Sequence, residues 1–249
     1  MNKRIIASLS IATMLIFSGC TGPETTNGNS SNVESPTTPS DSVNTPNDTA
    51  NSADETKVIP QTPVEAIELL KSQNTKYCEA IKNDGDISEK LRKETVDNGQ
   101  SPYAVVLTCS DSRVVPEHMF MEGINSIFTI RNAGNVVDET VLGSIEYGAE
   151  HIENSKVVVI LGHTHCGAVD ATLDGGGHGN VKTITDKIAT AIDGETDARA
   201  AEIKNVNNSI DKVLESPIIK ELVENGKISV VGAIYNAETG AVDFLEETN

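Results

Sequence analysis

The sequence predicts an α/β domain whose mostly parallel β-sheet is flanked by helices and carries one antiparallel strand at an edge. Short, continuous apolar runs rich in Val and Ile alternate with stretches of helical spacing, which is the pattern of a parallel sheet covered on both faces. The residues NAETG between the last two runs have the composition of a hairpin turn. That turn predicts that the final strand lies antiparallel to its neighbour.

The predicted strands are β-branched runs, and three of them stop at a residue with polar or metal-binding chemistry. The run YAVVLT ends at Cys109, SIFTI ends at Arg131 and KVVVILG ends at His163; KISVVGAIY and AVDFLE follow near the C-terminus. In open α/β sheets, ligands bind outside the carboxyl ends of the strands. Cys109, Arg131 and His163 are therefore expected to lie along one rim of the sheet.

Helices are predicted before and between these strands. The first begins after Thr62, because Thr62 can cap it, Pro63 suits the first turn and Glu65 completes a Ser/Thr-x-x-Glu capping box. Further stretches with helical character lie around 139–152, 181–192 and 198–225.

The N-terminal region has the pattern of an export signal. Lys3 and Arg4 precede a largely apolar stretch, and small residues lead up to Cys20, so residues 1–19 are predicted to be a secretory signal peptide. The ending LIFSGC resembles the lipobox of bacterial lipoproteins, which implies lipidation of Cys20, although Phe17 stands where leucine is usual. An ordinary cleaved signal or an uncleaved anchor is the alternative.

The segment after Cys20 is almost entirely polar. Residues 20–57 contain too few apolar side chains to offset the entropy of ordering them, so a disordered linker is expected there. The remaining residues, 58–249, are enough to bury a core and are expected to form one domain.

The formal net charge is −18, and losing Lys3 and Arg4 with the signal would take it two units lower, to −20. This excess disfavours nucleic acid and anionic membrane surfaces as partners. Membrane attachment is therefore expected only through the lipid anchor, which places the protein at the outer face of the bacterial cytoplasmic membrane. The plainer interpretation of the charge is a soluble surface.

The cysteine and histidine spacing predicts a zinc site. GHTHCGA places His163 and Cys166 three residues apart after one strand, and Cys109 ends another. One imidazole and two thiolates suit Zn²⁺, and three protein ligands leave a fourth position open, as in catalytic sites. A Cys109–Cys166 disulfide is the alternative in an exported protein. Zinc is favoured, with Cys20 lipidated and Cys78 expected to be a buried, unpaired thiol.

Asp111 and Arg113 follow the first cysteine within four residues. A carboxylate beside water at the metal would accept a hydrogen bond from it and orient it. Arg113 can hold that carboxylate through a paired, charge-assisted hydrogen bond and keep it ionised. An ordinary surface ion pair is the alternative.

Together these motifs resemble the β-class carbonic anhydrase family. CSDSR, RNAGN and GHTHCGA occur in the family's order, GQSPYAVVLTCSDSRVVPEHMF is similar to its first ligand block, and SPIIKELVENGKISVVGAIYNAETGAVDFL is similar to its C-terminal block. The resemblance covers nearly all of 58–245. It implies a β-carbonic-anhydrase-like fold with one Zn²⁺ per chain, and the reversible hydration of carbon dioxide to bicarbonate and a proton.

The resemblance also implies residue roles and an assembly. Asp111 is in addition a candidate fourth ligand in a closed form of the site. Because the family's sites lie at dimer interfaces, the resemblance implies a homodimer or higher homo-oligomer, with the helix after Thr62 as a dimer arm. The implied zinc ligands are Cys109, His163 and Cys166, the catalytic dyad is Asp111 and Arg113, and the substrate contacts are Gln100 and Gly167.

Two other functions use the same motifs. An enzyme of this fold that hydrolyses carbonyl sulfide or carbon disulfide would keep the same ligands, and a lipoprotein that only binds zinc or bicarbonate is a non-enzymatic alternative. The presence of both Asp111 and Arg113 favours an enzyme. His165, inside the HTHC motif, is interpreted as solvent-exposed or structural in preference to a proton shuttle.

Overall fold

The computed structural model describes residues 59–246, so the predicted signal peptide, Cys20 and linker lie outside the described residues. Within this range the chain forms a five-stranded sheet in the order β2-β1-β3-β4-β5. The strands are β1 Ala104–Cys109, β2 Ile127–Asn132, β3 Val157–His163, β4 Ser229–Tyr235 and β5 Val242–Phe244.

The strand directions confirm the predicted fold class. β1 is parallel to β2 and to β3, and β3 is parallel to β4. β5 returns antiparallel to β4 after a turn closed by hydrogen bonds from the Asn236 N–H to the Ala241 carbonyl and from the Gly240 N–H to the Asn236 carbonyl. β1 and β3 are buried along their whole length because they occupy the middle of the sheet. Their carboxyl ends therefore lie side by side.

Helices cover both faces of the sheet, and none of the described helices is long and apolar enough to cross a membrane. The helices are α1 Pro63–Cys78, α2 Glu89–Asn98, α3 Pro116–Met119, α4 Glu139–Glu150, α5 Gly167–Leu173, α6 Val181–Ile192, α7 Ala198–Leu214 and α8 Pro217–Glu224.

The helices differ from the sequence prediction in two ways. The stretch predicted as one helix over 198–225 forms α7 and α8, because Pro217 has no N–H to continue the first helix and Ser216 caps the second. α2, α3 and α5 have no counterpart in the prediction, and α3 has only four residues. α2 buries none of its residues, so its sequence shows no apolar stripe, and α5 has only seven residues.

The predicted cap of α1 is present with one change. Thr62 Oγ1 accepts a hydrogen bond from the Glu65 N–H at 3.2 Å. The Glu65 carboxylate accepts from the N–H of Gln61 at 2.7 Å, so the reciprocal bond closes one residue before Thr62. The buried face of the helix consists of Ala66, Leu70 and Asn74, whereas Val64 is 69% exposed.

The core consists of two main clusters separated by the sheet. Val106 and Val159 pack on one face with Phe120 from the end of α3. Val105 and Val158 pack on the other face, as expected from the two-residue alternation of strand side chains. A third, smaller cluster surrounds the carboxyl ends of β1 and β3, and it consists of Cys109, Val136, Cys166, Val169, Ile188, Ile192 and Ala201.

Candidate metal centre

Three buried side chains meet beyond the carboxyl ends of the two central strands. Cys109 is the last residue of β1, His163 is the last residue of β3, and Cys166 is the N-cap of α5. Their ligand atoms all lie within 4.8 Å of one another, and each residue is at most 6% exposed. Parallel strands bring the first two together, and the turn after His163 returns Cys166 to them. The three predicted ligands thus form one group able to hold a metal ion.

The hydrogen bonding of His163 leaves one ring nitrogen available for a metal. Nδ1 lies 2.9 Å from the carbonyl oxygen of Thr164, which can only accept, so Nδ1 carries the proton in the neutral ring. Nε2 is buried and has no hydrogen-bond partner in the protein. A backbone carbonyl that fixes the imidazole in this way is the usual support of a metal-binding histidine.

The two cysteines lie close enough for each to shift the pKa of the other. The pKa of Cys109 is lowered to about 4, first because the Cys166 thiol donates a hydrogen bond to its sulfur; burial opposes this, and His163 and the N–H of Gly134 lower it further. The same sulfur–sulfur hydrogen bond raises the pKa of Cys166. Both cysteines are free thiols rather than a disulfide. Such a pair is suited to a metal cation, whose binding would release the thiol protons.

The charge of the pair also acts on the histidine. Burial, the largest influence, lowers the pKa of His163, but the neighbouring Cys109 sulfur and the Thr164 carbonyl outweigh it, so the pKa is raised. The protonation of the imidazole and that of the Cys109 sulfur are therefore linked. A divalent cation would satisfy all three donors at once, which is why the donor set fits Zn²⁺.

Asp111 and Arg113 form a tight pair at the edge of this group. Arg113 Nε donates to Asp111 Oδ1 at 2.9 Å and Nη2 donates to Oδ2 at 2.7 Å, while the backbone N–H of Arg113 also donates to Oδ1 at 2.9 Å. These bonds hold the pKa of Asp111 well below its usual range. Since Arg113 binds both carboxylate oxygens, the structure shows Asp111 paired with arginine. Among the described residues, the group whose ligand atoms lie within 4.8 Å of one another consists of Cys109, His163 and Cys166 and does not include Asp111.

Two arginines tie this pair to the neighbouring backbone. Arg113 Nη2 also donates to the carbonyl oxygen of His165 at 3.0 Å, which links Asp111 to the turn that carries Cys166. Arg131 donates to the carbonyl oxygens of Asp111 at 2.8 Å and of Cys109 at 3.2 Å. Sequence reasoning placed Arg131 at the rim but assigned it no role. Its position at the end of a strand next to β1 is the signal that could have revealed one.

The two predicted substrate contacts lie at opposite ends of β1. Gly167 is the first residue of α5, and a Cβ built on it would meet nothing within 4 Å, so its backbone faces open space beside Cys166. Gln100 is exposed and precedes β1, whereas Cys109 ends it. A strand of six residues spans about 17–20 Å. The chain therefore does not bring Gln100 to its own metal centre.

The structure corrects the prediction for Cys78. This thiol is exposed, not buried, because it is the last residue of α1, beyond the part of the helix that packs on the sheet. His165 is exposed as predicted, and its Nε2 lies 3.9 Å from Oε1 of the exposed Glu238. Neither side chain belongs to the buried group of three ligands.

Comparison with known sequences identifies close counterparts. Residues 104–242 match the family model described as carbonic anhydrase. Carbonic anhydrase 2 of Mycobacterium tuberculosis is 34% identical over 196 residues, which cover 73% of this chain and 93% of that protein. A carbonic anhydrase of Mycolicibacterium smegmatis is 32% identical over 195 residues, with the same coverage of 73% and 93%.

Comparison with solved structures agrees with the fold. A Coccomyxa β-carbonic anhydrase in complex with acetazolamide matches with a TM-score of 0.55 and 26% identity over 64% of this chain and 78% of that chain. One of two tetrameric β-carbonic anhydrases from Sordaria macrospora matches with a TM-score of 0.57 and 26% identity, over 64% of this chain and 88% of that chain.

Proposed function

The chain belongs to the β-class carbonic anhydrase family, and we propose that Cys109, His163 and Cys166 are the ligands of its metal. It is a zinc metalloenzyme that catalyses the reversible hydration of carbon dioxide to bicarbonate and a proton. The observation that carries the assignment of the site is the meeting of two free thiols and one backbone-fixed imidazole within 4.8 Å. No disulfide competes for these sulfurs among the described residues.

The ligand set determines how the ion would be held. The two sulfurs and the imidazole nitrogen would supply three ligands to the ion, which would leave a fourth position for water or substrate. When bound, Zn²⁺ supplies a Lewis acid that makes water reactive near neutral pH. The two thiolate charges would weaken the effect of Zn²⁺ on the pKa of the water. A nearby side chain is therefore needed to accept a hydrogen bond from the water and orient it.

We assign that orienting role to Asp111. Its carboxylate is ionised, and Oδ2 accepts only one hydrogen bond from Arg113, so it retains a second lone pair, whereas Oδ1 accepts two. It can therefore accept a hydrogen bond from the water that adds to the carbon of carbon dioxide. Arg113 keeps the carboxylate ionised. Its hydrogen bond to the His165 carbonyl also fixes the position of the carboxylate relative to the turn that carries Cys166. The product proton then leaves to buffer.

Gly167 and Gln100 are proposed to contact the substrate in different ways. The N–H of Gly167 is among the first in α5, which have no partner inside the helix, so it is a donor for bicarbonate in the open space beside Cys166. Gln100 lies at the far end of β1 in its own chain. We propose that it reaches the site of a second copy.

This assignment requires an oligomer, and the surface of the domain supports one. β2 is an edge strand whose residues are mostly half-buried, and α2 buries none of its residues although isolated ten-residue helices are marginal in water. Large apolar side chains are exposed on α2 and just before it, namely Val96 at 83% and Ile87 at 69%. We propose that a partner subunit covers this region, giving a homodimer or a higher homo-oligomer.

We also propose that the enzyme is exported and attached to the outer face of the cytoplasmic membrane by a lipid on Cys20. The support is the signal-like sequence 1–19, the lipobox-like LIFSGC and the polar segment 20–57. A single acyl chain anchors weakly, whereas the diacylglycerol typical of bacterial lipoproteins holds firmly.

The lipid anchor predicts where activity is found in cells. Cys20→Ser should move the protein out of the membrane fraction without changing turnover, because residues 20–57 contain too few apolar side chains to form part of a packed core. Fractionation of cells expressing each form, with activity measured in every fraction, tests this. Recovery of the wild-type chain in the cytoplasm with Met1 intact would show that the export proposal is wrong.

The metal ligands predict the effect of a single atom change. Cys166→Ser should remove both the zinc and carbon dioxide hydration, because the hydroxyl is a far weaker ligand than a thiolate. Zinc analysis and stopped-flow hydration assays on the mature chain measure both. Cys78→Ser, which removes the exposed thiol, is the matched control and should keep both. Full zinc occupancy in Cys166→Ser would exclude Cys166 from the site.

A further inference from the structure

A tight turn packs against the sulfur of Cys109. The 3-10 turn Ala133–Asn135 follows β2, and the backbone N–H of Gly134 donates a hydrogen bond to the sulfur of Cys109 at 3.3 Å. Gly134 has φ +74°, in the left-handed region, and a Cβ there would lie 2.9 Å from Cδ1 of Ile188 and 3.0 Å from Cβ of Ala168. The turn therefore requires glycine, and it directs one backbone donor at the sulfur.

Helix α7 holds this turn from the other side. Asn205 Nδ2 donates to the carbonyl oxygen of Gly134 at 2.8 Å, and Asn205 is 2% exposed. One helical turn later, Ser209 Oγ donates to the carbonyl oxygen of Asn135 at 3.1 Å, and Ser209 is 1% exposed. Both bonds are buried and both join the same helix to the same turn. They differ in which residue of the turn they hold.

We propose that Asn205 is a positioning residue for the metal centre, acting through Gly134 on the sulfur of Cys109. The inference rests on the proposed role of Cys109 as a ligand. Asn205 fixes the carbonyl of the residue whose N–H binds the sulfur, so it limits rotation of the left-handed turn. That N–H in turn directs a sulfur lone pair and withdraws electron density from it.

The expected size of the effect follows from outer partners of metal ligands in general. Such partners orient the ligand, and their loss typically lowers metal affinity about 10–100-fold. Without Asn205 the Gly134 carbonyl would be buried without its partner, which favours a shift of the turn away from the sulfur. Ser209 holds the next residue of the turn, Asn135, and makes no hydrogen bond to Gly134, whose N–H reaches Cys109.

The experiment compares Asn205→Ala with Ser209→Ala in the mature chain. Zinc affinity is measured by competition with a chromophoric chelator, and the sulfur–metal charge-transfer absorption is measured after replacement of zinc by Co²⁺. Asn205→Ala should bind zinc about tenfold more weakly. Its charge-transfer band should move to longer wavelength, because a sulfur without its N–H partner gives up electron density more readily. Ser209→Ala should leave the band in place and the affinity within about twofold.

Thermal unfolding of both variants separates positioning from stability. Each loses one buried hydrogen bond, so similar losses of unfolding temperature are expected in both. Unchanged affinity and absorption in Asn205→Ala, or equal changes in Ser209→Ala, would overturn the inference. If the alanine variant does not fold, Asn205→Ser provides the same readouts, since its hydroxyl is too short to take the place of Nδ2. A wild-type chain that binds neither metal through sulfur would instead overturn the proposed ligands.

Discussion

At the residue scale, Asp111 shows how a charged side chain at a metal site is kept in one ionisation state. Its carboxylate is partly exposed, with 19% of the side chain accessible, yet three hydrogen bonds from Arg113 hold it ionised. A paired arginine fork is geometrically specific, which a lysine at the same position would not be. The pair therefore determines both the charge and the direction of the carboxylate.

This arrangement predicts a selective loss of turnover in Asp111→Ala. The variant should keep its zinc and lose roughly 10²–10⁴-fold in carbon dioxide hydration, as is typical when a positioned proton-transfer group is removed. Because the pKa of Asp111 lies below its usual range, the loss should be the same at every pH from about 6 to 9. Stopped-flow rates and zinc content measure this. Wild-type rates in the variant would mean that Asp111 takes no part.

The contribution of the Asp111–Arg113 pair to stability should depend on pH, and this dependence tests the effect of Asp111→Ala on folding separately from its effect on activity. A carboxyl group whose folded-state pKa is depressed contributes stability above its unfolded pKa of about 4. That contribution is lost as pH falls through the folded-state value. The unfolding temperatures of wild type and Asp111→Ala should therefore differ most at neutral pH and converge in strong acid. Parallel curves at all pH values would show that the ion pair does not stabilise the fold.

At the element scale, the junction between α7 and α8 combines a helix cap with a contact to a third helix. Ser216 Oγ accepts from the Ile219 N–H at 3.3 Å, and its hydroxyl donates to Glu146 of α4 at 2.6 Å. Ser216 is 3% exposed, so both bonds are largely shielded from water. The junction therefore joins α4, α7 and α8, the three helices that pack on one face of the sheet.

Loss of this cap should reduce stability without affecting the reaction. Ser216→Ala is expected to cost about 0.5–2 kcal/mol, and each kcal/mol lowers the unfolding temperature by roughly 2–4 °C in a domain of this size. Ser144→Ala, which removes an exposed hydroxyl bond within α4, is the control and should stay within about 0.5 kcal/mol of wild type. Calorimetry measures both. An unchanged unfolding temperature in Ser216→Ala would show that water replaces the cap.

At the scale of the whole molecule, the exposed apolar surface around α2 and the placement of Gln100 lead to the same conclusion. A helix with no buried residue gains little from packing within its own chain, and Gln100, just after it, cannot reach the site of its own chain. Both facts are explained if a second copy packs against this region. Assembly and catalysis would then be linked.

That link predicts the behaviour of a charged substitution on α2. Val96→Glu should weaken the oligomer and, as it dissociates on dilution, lower turnover, because a buried unpaired carboxylate is costly. Val181→Glu on α6, at a site that is also exposed, is the matched control and should do neither. Sedimentation and activity over the same concentration range measure both effects. A Val96→Glu chain with wild-type mass and turnover at every concentration would exclude α2 from the interface.

The sequence alone was sufficient for features determined by neighbouring residues. The apolar runs predicted the strands and their direction, because periodicity and turn residues act over a few positions. The same runs end at Cys109 and His163. Because the carboxyl ends of parallel strands lie along one edge of the sheet, the sequence alone predicts that both residues lie at that edge. Cys166 follows His163 by only three residues, so the sequence also predicts that Cys166 lies close to the same edge.

Only the tertiary structure decided what distant residues do. Arg131 holds the carbonyl of Asp111 across 20 positions, and Asn205 holds that of Gly134 across 71. No local pattern encodes such bonds, because they depend on how α7 and β2 pack around the strand ends. Cys78 is exposed for the same reason: helical spacing predicts a face, but burial is determined by which neighbours cover it.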